Sequence, residues 1–381
     1  MADSPARRAL RWLDSRHDEM LALLEPLVLA ESPSTDAPSQ DLVFSLMAAP
    51  LRQLGWKLLR LPGRQTGGAL IARPPGRGPH QLLVGHTDTV WPKGTLAHQP
   101  YRVDGERIFG PGVFDMKAGL VQLVFALRAL AAIGVEPALK PVVFLGSDEE
   151  IGSPESTRHL IRLARVCRRA LVLEPAHGPH GCAKTARKGV SKYILTLHGR
   201  AAHAGLEPER GASAVHALGP LIEAVCALHN PPSGVSVNIG QVWGGTRPNV
   251  VAAEAVAIVD VRVPDEAAAR DLDLRLRSLT SRVPGVQLTV DAHPLRPPMT
   301  RRPDLEPLWR AACDAAASLG LPFDAVTAGG GSDGNTTNRF IPTLDGLGAV
   351  GEGAHAPTEH IRADLLIARA ALLAGILASD P

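Results

Sequence analysis

The sequence predicts an α/β protein with a mostly parallel central sheet and a second, smaller α+β module inserted into it. Short apolar runs alternate with helical segments over about the first 180 residues, the pattern of a sheet covered by helices. Several of those runs stop abruptly at His, Asp or Glu. Beyond Tyr193 the pattern changes to half-exposed, alternating strands. A length of 381 residues also exceeds what one hydrophobic core usually fills, which suits two domains.

Leu10, Leu13, Leu21, Leu24 and Leu27 fall at helical spacing and give one amphipathic opening helix over about residues 5–29. A second helix fits 40–54, after the turn-rich Ser32-Pro33-Ser34-Thr35-Asp36. Lys57–Leu61 and Ala69–Arg73 read as strands flanking Gly67-Gly68. The apolar run 81–85 leads into His86-Thr87-Asp88. Residues 108–114 are loop-like and carry Asp115-Met116-Lys117, and 116–133 is a strong helix ended by Gly134. The unbroken apolar run 141–146 reads as a strand buried on both faces, and Asp148-Glu149-Glu150 follows it. Residues 170–173 lead into Glu174-Pro175. Then come a strand at 193–199, a helix at 212–228, strands at 235–242 and 256–263, a helix at 265–279 and a strand at 286–290. That β-α-β-β-α-β order is a ferredoxin-like arrangement. Residues 305–319 return to helix. The run 344–350, interrupted by Asp345 and two glycines, ends in Gly351-Glu352-Gly353-Ala354-His355. The expected division is 1–184 and 297–381 for the first domain and 185–296 for the insert.

Composition narrows the function classes. A formal net charge of +2 gives no reason to expect nucleic acid or an anionic membrane as partner, and 4% aromatic residues leave little for base stacking. The four cysteines form no CxxC pair, which argues against a thiolate zinc site or a disulfide framework and fits a reducing compartment. No apolar run is long enough to span a bilayer, and charged residues interrupt the segment after Arg7-Arg8. A cytoplasmic protein is expected.

Three carboxylates at the end of a buried strand conflict with burial, since ionised groups leave water only when paired or metal-bound. Alone, Asp148-Glu149-Glu150 could be an acidic helix N-terminus. The recurrence of the pattern favours a site. In an open parallel sheet ligands collect outside the carboxyl ends of the strands, so His86, Asp115, Glu150, Glu174 and His355 would converge on one crevice. Two imidazoles and three carboxylates suit two borderline metal ions, each with one imidazole and one terminal carboxylate, the third carboxylate bridging. Asp88, two residues after His86, would share its face and hold the imidazole in the metal-binding tautomer.

These residues lie in motifs that resemble, in order and over nearly the whole chain, those of the peptidase M20 family of di-zinc co-catalytic hydrolases. The motifs are Gly85-His86-Thr87-Asp88-Thr89-Val90, Gly110-Pro111-Gly112-Val113-Phe114-Asp115-Met116-Lys117, Ser147-Asp148-Glu149-Glu150-Ile151-Gly152-Ser153, Gly199-Arg200-Ala201-Ala202-His203-Ala204-Gly205 and Gly353-Ala354-His355. The resemblance implies a zinc-exopeptidase-like catalytic domain carrying a lid and dimerisation domain at 185–296. It implies two zinc ions per subunit, with cobalt or manganese accepted by the same donors. Asp115 would bridge, His86 and Glu174 would hold one ion, and Glu150 and His355 the other. Glu149 would be the general base, taking a proton from the metal-bound water and returning it to the leaving amine. His203 would polarise the substrate carbonyl from the partner subunit of a homodimer. Asn249 and Arg262 would hold the substrate, Arg262 gripping its free carboxylate as a guanidinium does well; Arg296 is a weaker candidate for that grip. Asp148 has no assigned role.

Glu174-Pro175 and Gly329-Gly330-Gly331-Ser332-Asp333 resemble the glutamate carboxypeptidase branch. This implies hydrolysis of an amide next to a free carboxylate; the backbone N–H groups of the loop, at Gly330, Gly331 and Ser332, would meet a substrate carboxylate. An acetylornithine- or succinyl-diaminopimelate-type deacylase, or an aminoacylase, is the alternative. Residues 329–334 also spell G-x-G-x-x-G, a weak dinucleotide signal so late in the chain; an oxidoreductase would have to bind NAD. A non-catalytic relative would have lost Glu149 or a metal ligand, and none is missing.

Overall fold

The computed structural model describes residues 3–380. The chain divides into two compact units. One contains the chain up to Ala186, Arg301–Ala328 and the residues from Ser332 on; the other contains Arg187–Thr300 with Gly329–Gly331.

In the first unit a six-stranded sheet has the order Lys57–Leu61, Ala69–Arg73, Lys140–Gly146, His80–His86, Cys167–Val172, Thr343–Leu344. The last four of these are parallel neighbours; Ala69–Arg73 runs antiparallel to both of its neighbours, Lys57–Leu61 and Lys140–Gly146. The unbroken apolar runs have a simple cause, because both faces of the sheet are covered. Leu83, Val143, Leu145 and Leu171 join the core shared with helices Pro5–Leu13, Ala118–Ala132 and Leu366–Ala378. Their neighbours Leu82, Val84, Val142, Phe144, Ala170 and Val172 join a second core with Leu160 and Ala164 of helix Thr157–Ala164. Burying each of the Leu, Val and Phe side chains stabilises the fold by about 1.5–3 kcal/mol. Gly119 shows how closely the layers approach, since a Cβ there would lie 2.3 Å from the Leu173 carbonyl oxygen.

Several boundaries differ from the sequence reading. The opening helix is two helices, Pro5–Leu13 and His17–Leu29, separated at Asp14-Ser15, residues whose side chains compete with helical hydrogen bonding. The second helix is Ala37–Gln53, starting earlier because Pro38 is at home in a first turn. Part of the loop-like 108–114 stretch is strand, Arg107–Phe109, paired with His360–Arg362. The fourth helix begins at Ala118, because the backbones of Asp115 (φ −113°, ψ 94°) and Met116 (φ −131°, ψ 32°) are non-helical. The apolar run 344–350 is strand only at Thr343–Leu344; Gly346, at φ 73°, turns the chain away.

The second unit has four antiparallel strands in the order Ser236–Gly244, Glu254–Val263, Gly189–His198, Gln287–Arg296. With helices Ala214–Cys226 and Glu266–Arg277 they follow the β-α-β-β-α-β order expected. Leu221, Val225, Leu272 and Leu276 of the helices share one core with Tyr193, Leu195, Leu197, Val259 and Val261 of the strands. Cys167, Cys182, Cys226 and Cys313 are all free thiols. Among the described residues no helix is long and apolar enough to cross a membrane.

Candidate metal centre

Strand register brings the site together. His86 pairs with Gly146, so two strands end level, and Val84 pairs with Val172, the last residue of the third, so the chain just beyond it comes alongside His86. His86, the 147–150 turn and Glu174 therefore emerge on the carboxyl edge of the sheet, where ligands bind in open α/β folds. Asp115 comes from the turn Val113–Lys117 and His355 from a loop near the C-terminus, both in this same unit. His355 has φ 62°, a left-handed conformation uncommon outside glycine and typical of functional loops.

Asp115 stands between the two imidazoles. Its Oδ1 is 3.2 Å from His86 Nε2 and its Oδ2 is 3.6 Å from His355 Nε2. Glu174 Oε1 lies 3.4 Å from the same His86 nitrogen, and Glu150 Oε2 lies 3.1 Å from that of His355. The result is two imidazole–carboxylate pairs, one on each oxygen of a shared carboxylate. Glu149 stands close by: one donor atom each of His86, Glu149 and Glu174 lie within 4.8 Å of one another, as do those of His86, Asp115 and Glu150.

The orientation of His86 has a different source from the one the strand pattern suggested. The strand ends at His86, and the nearest acceptor for Nδ1 is the backbone carbonyl of Asp88 at 2.9 Å; the carboxylate Oδ1 is 3.4 Å away. That carboxylate also accepts from Ser34 Oγ (2.6 Å) and from the backbone N–H groups of Glu149 (3.2 Å) and Glu150 (3.1 Å). Asp88 thus holds the paired glutamates as well as the histidine. Asp148, unassigned from sequence, is structural. Its Oδ2 accepts from the N–H groups of Glu155 and Ser156 at 2.7 and 3.0 Å, just before helix Thr157–Ala164.

The charges are strongly coupled. Burial pushes the Glu150 carboxyl up to about 7, against the hydrogen bond from His355. Hydrogen bonds to Asp115 and Glu150 raise His355 to about 10. Burial disfavours charge on His86, yet Asp115, Asp88 and Glu174 together raise it well above its ordinary value. Burial likewise opposes ionisation of Asp115, and the two histidines outweigh it, holding the carboxyl below the usual range. Such a set fits divalent cations. The Glu150 Oε1 atom is buried without a hydrogen-bond partner, and a cation between these donors would satisfy it and invert the local proton balance.

Glu359 was not visible to sequence reasoning. It is fully buried, and its carboxylate accepts from the backbone N–H groups of Gly112, Phe114 and Asp115 and from Trp91 Nε1. Lys117 is another buried charge, its Nζ donating to the Ala30 carbonyl at 2.9 Å while burial lowers it to about 8. No spacing rule marks either residue as buried; Lys117 stands two residues after Asp115 in its motif and Glu359 four after His355, and that proximity was the only signal.

The remaining candidates have different surroundings. His203 and Asn249 are exposed neighbours in the second unit, where the Ala204 N–H donates to the Asn249 carbonyl at 3.0 Å. His203 Nδ1 accepts from the N–H groups of Gly205 (3.1 Å) and Leu206 (3.2 Å), which leaves the ring proton on Nε2. Arg262 is held bidentately by Asp260, at 2.8 and 3.1 Å. The carbonyls of Gly330 and Gly331 accept from Arg187, and a Cβ on Gly331 would sit 3.1 Å from the buried Arg296 side chain. Ser332 corrects the sequence reading. Its backbone N–H, expected to meet a substrate carboxylate, donates to Asn335 Oδ1 at 2.8 Å, and its fully buried hydroxyl donates to Asp345 at 2.5 Å while capping the short helix Asp333–Thr337. The G-x-G-x-x-G spelling likewise falls in a loop between a two-stranded sheet and this five-residue helix, unlike a dinucleotide-binding βαβ unit.

An α/β sheet with this donor set at its carboxyl edge is the core of a metal-dependent hydrolase. Residues 82–379 match the model of peptidase family M20/M25/M40, and the chain belongs to that family. It is 26% identical over 349 residues to carboxypeptidase G2 of Pseudomonas sp. (strain RS-16), covering 88% of this chain and 83% of the relative. It is 30% identical over 331 residues to the succinyl-diaminopimelate desuccinylase of Alkalilimnicola ehrlichii, covering 81% and 86%. The crystal structure of the YXEP protein of Bacillus subtilis, a dinuclear metal binding peptidase from the M20 family, has a similar fold. Its TM-score is 0.71 at 17% identity, over 96% of this chain and 98% of that one.

Proposed function

We propose that this enzyme hydrolyses an amide bond next to a free carboxylate, in an N-acyl amino acid or at a peptide C-terminus, in the manner of a glutamate carboxypeptidase. The observation that carries the reading is Asp115, with an imidazole–carboxylate pair on each of its two oxygens. His86 and Glu174 would hold one metal ion, Glu150 and His355 a second, and Asp115 both; zinc fits the nitrogen and oxygen donors, as do cobalt and manganese. Two such ions supply Lewis acidity toward the carbonyl and lower the pKa of water.

Glu149 does the proton work. It takes a proton from the attacking water as the new C–O bond forms and hands it to the departing nitrogen as the C–N bond breaks, which leaves a carboxylic acid and an amine. Asp88 keeps Glu149 and Glu150 in place through their backbone N–H groups. The Nε2–H of His203 is a suitable donor to a carbonyl oxygen whose charge grows during the reaction. We assign it to the partner subunit of a cytoplasmic homodimer built through the second unit. Mixing an inactive Glu149→Ala chain with an inactive His203→Ala chain should restore part of the activity, and no recovery in verified heterodimers would refute action in trans. Arg262, with Asn249, would receive the substrate carboxylate in exchange for Asp260, and the N–H groups around Gly330 and Gly331 would add to that grip.

The test is a hydrolysis screen on metal-reconstituted protein. N-acyl glutamates and dipeptides ending in glutamate are compared with the same compounds amidated at the α-carboxylate. Loss of a charge-assisted contact should slow the amidated forms about 10–100-fold. Equal rates for acid and amide would contradict the reading. The 30% identity to a desuccinylase favours including an N-succinyl diamino acid; preference for that substrate would move the assignment to an N-deacylase.

A further inference from the structure

We propose that Glu359 is a positioning residue that locks the Asp115 turn to the His355 loop and so sets the spacing of the two metal positions. Glu359 Oε1 accepts from the N–H groups of Phe114 (2.9 Å) and Asp115 (3.0 Å). Its Oε2 accepts from the Gly112 N–H (2.9 Å) and from Trp91 Nε1 (2.7 Å). Three N–H groups of one turn thus point at a single carboxylate, an anion-holding backbone concavity. Gly112 makes the turn possible: it has φ 72°, and a Cβ there would meet Thr89 Cγ2 at 2.4 Å. The carboxylate lies four residues after His355. The segment between them is folded back on itself, Ala356 N–H donating to Gly353 O at 2.8 Å and Glu359 N–H to Ala356 O at 2.9 Å. Just beyond, His360 pairs with Phe109 on the strand that enters the Asp115 turn. Asp115 and His355 therefore belong to one hydrogen-bonded body whose central acceptor is Glu359.

A carboxylate is the only side chain that can do this. It accepts through both oxygens, whereas glutamine offers one oxygen and an NH₂ group that would face N–H donors. Glu359→Gln keeps the shape and spoils the acceptor pattern, so the Asp115 turn should loosen from the His355 loop.

This inference rests on the two-metal reading of the site. Metal-free full-length wild type, Glu359→Gln and Trp91→Phe are titrated with Zn²⁺ by calorimetry, with circular dichroism and thermal melting to report folding. Wild type should bind two ions. Folded Glu359→Gln should bind at least one of them about 10–100-fold more weakly, the usual effect of losing an outer partner of a metal ligand. Its kcat should fall while KM changes little. Wild-type affinity for both ions in folded Glu359→Gln would overturn the proposal. Should that variant fail to fold, Trp91→Phe decides, since it removes one donor of four: weaker binding in a folded protein supports the clamp, and unchanged binding overturns it. A wild type that binds fewer than two ions removes the two-metal reading, and this inference with it, before any variant is compared.

Discussion

The two units hold their candidate functional residues in opposite ways. In the first, the donors meet at the end of a buried sheet and are fixed by backbone: His86 by the Asp88 carbonyl, Glu149 and Glu150 by the Asp88 carboxylate, Asp115 by Glu359. In the second, His203 and Asn249 sit on exposed turns, and Arg262 already has a carboxylate partner in Asp260. Charge that must act on a reacting bond is preorganised where water is scarce, because reorganising it during the reaction would cost rate. The groups proposed to grip a substrate, Arg262 and Asn249, can stay in solvent and exchange one partner for another, whereas His203, proposed to act on the carbonyl, must lose its solvent when substrate binds.

This contrast predicts a graded series of effects. The largest belongs to Glu149→Ala, which should retain metal and lose about 10²–10⁴-fold in kcat; elemental analysis alongside steady-state rates measures both, and a near-normal rate would break the comparison at its strongest point. Next comes Asp88→Ala, which keeps the backbone carbonyl that accepts from His86 but removes the carboxylate that accepts from the N–H groups of Glu149 and Glu150. Metal affinity or turnover should fall about 10–100-fold, by titration and kinetics. Arg262→Ala should act mostly on KM, raising it about tenfold or more with kcat little changed, as expected when a ground-state contact is lost. A fall in kcat alone would place Arg262 in the chemistry instead.

The smallest effect concerns thiols. Cys167, in the first unit, is buried, and burial pushes its thiol from 9.0 up to about 12; Cys226, in the second, is exposed. Iodoacetamide at pH 8 should label Cys226 and spare Cys167 in the folded protein, as peptide mass spectrometry can check. The linkage has a definite sign. Below pH 9 both folded and unfolded chains keep the Cys167 proton. Between about 9 and about 12 the unfolded chain gives it up first, so this residue's contribution lowers stability as pH rises. Urea midpoints of wild type should fall more steeply across that window than those of Cys167→Ala.

The sequence was most legible where chemistry conflicts with burial. Carboxylates and histidines at the ends of apolar runs pointed to the carboxyl edge of the sheet, and the structure brings His86, Asp115, Glu150, Glu174 and His355 within a few hydrogen-bond lengths of one another. The second unit could be read from strand and helix order alone. Three things escaped, each because it depends on contacts remote in sequence. Glu359 is 244 residues from Asp115, and only the folded chain shows them touching. Ser332 looked like part of a substrate loop, but its N–H is taken by Asn335 and its hydroxyl by Asp345. The Asp88 carboxylate, expected to serve His86, takes the N–H groups of residues 61 and 62 positions later as well. Helix breaks such as Asp14-Ser15 were missed for a milder reason, since leucine spacing continues in phase across the turn.

The most direct test of the account is the number of metal ions that Asp115 organises. Metal-free wild type and Asp115→Ala are titrated with Zn²⁺, with circular dichroism confirming that both are folded. A shared carboxylate predicts two ions per chain in the wild type and disruption of both positions in the variant, with neither ion bound at wild-type affinity. A folded Asp115→Ala chain that still binds two ions as tightly as wild type would contradict it.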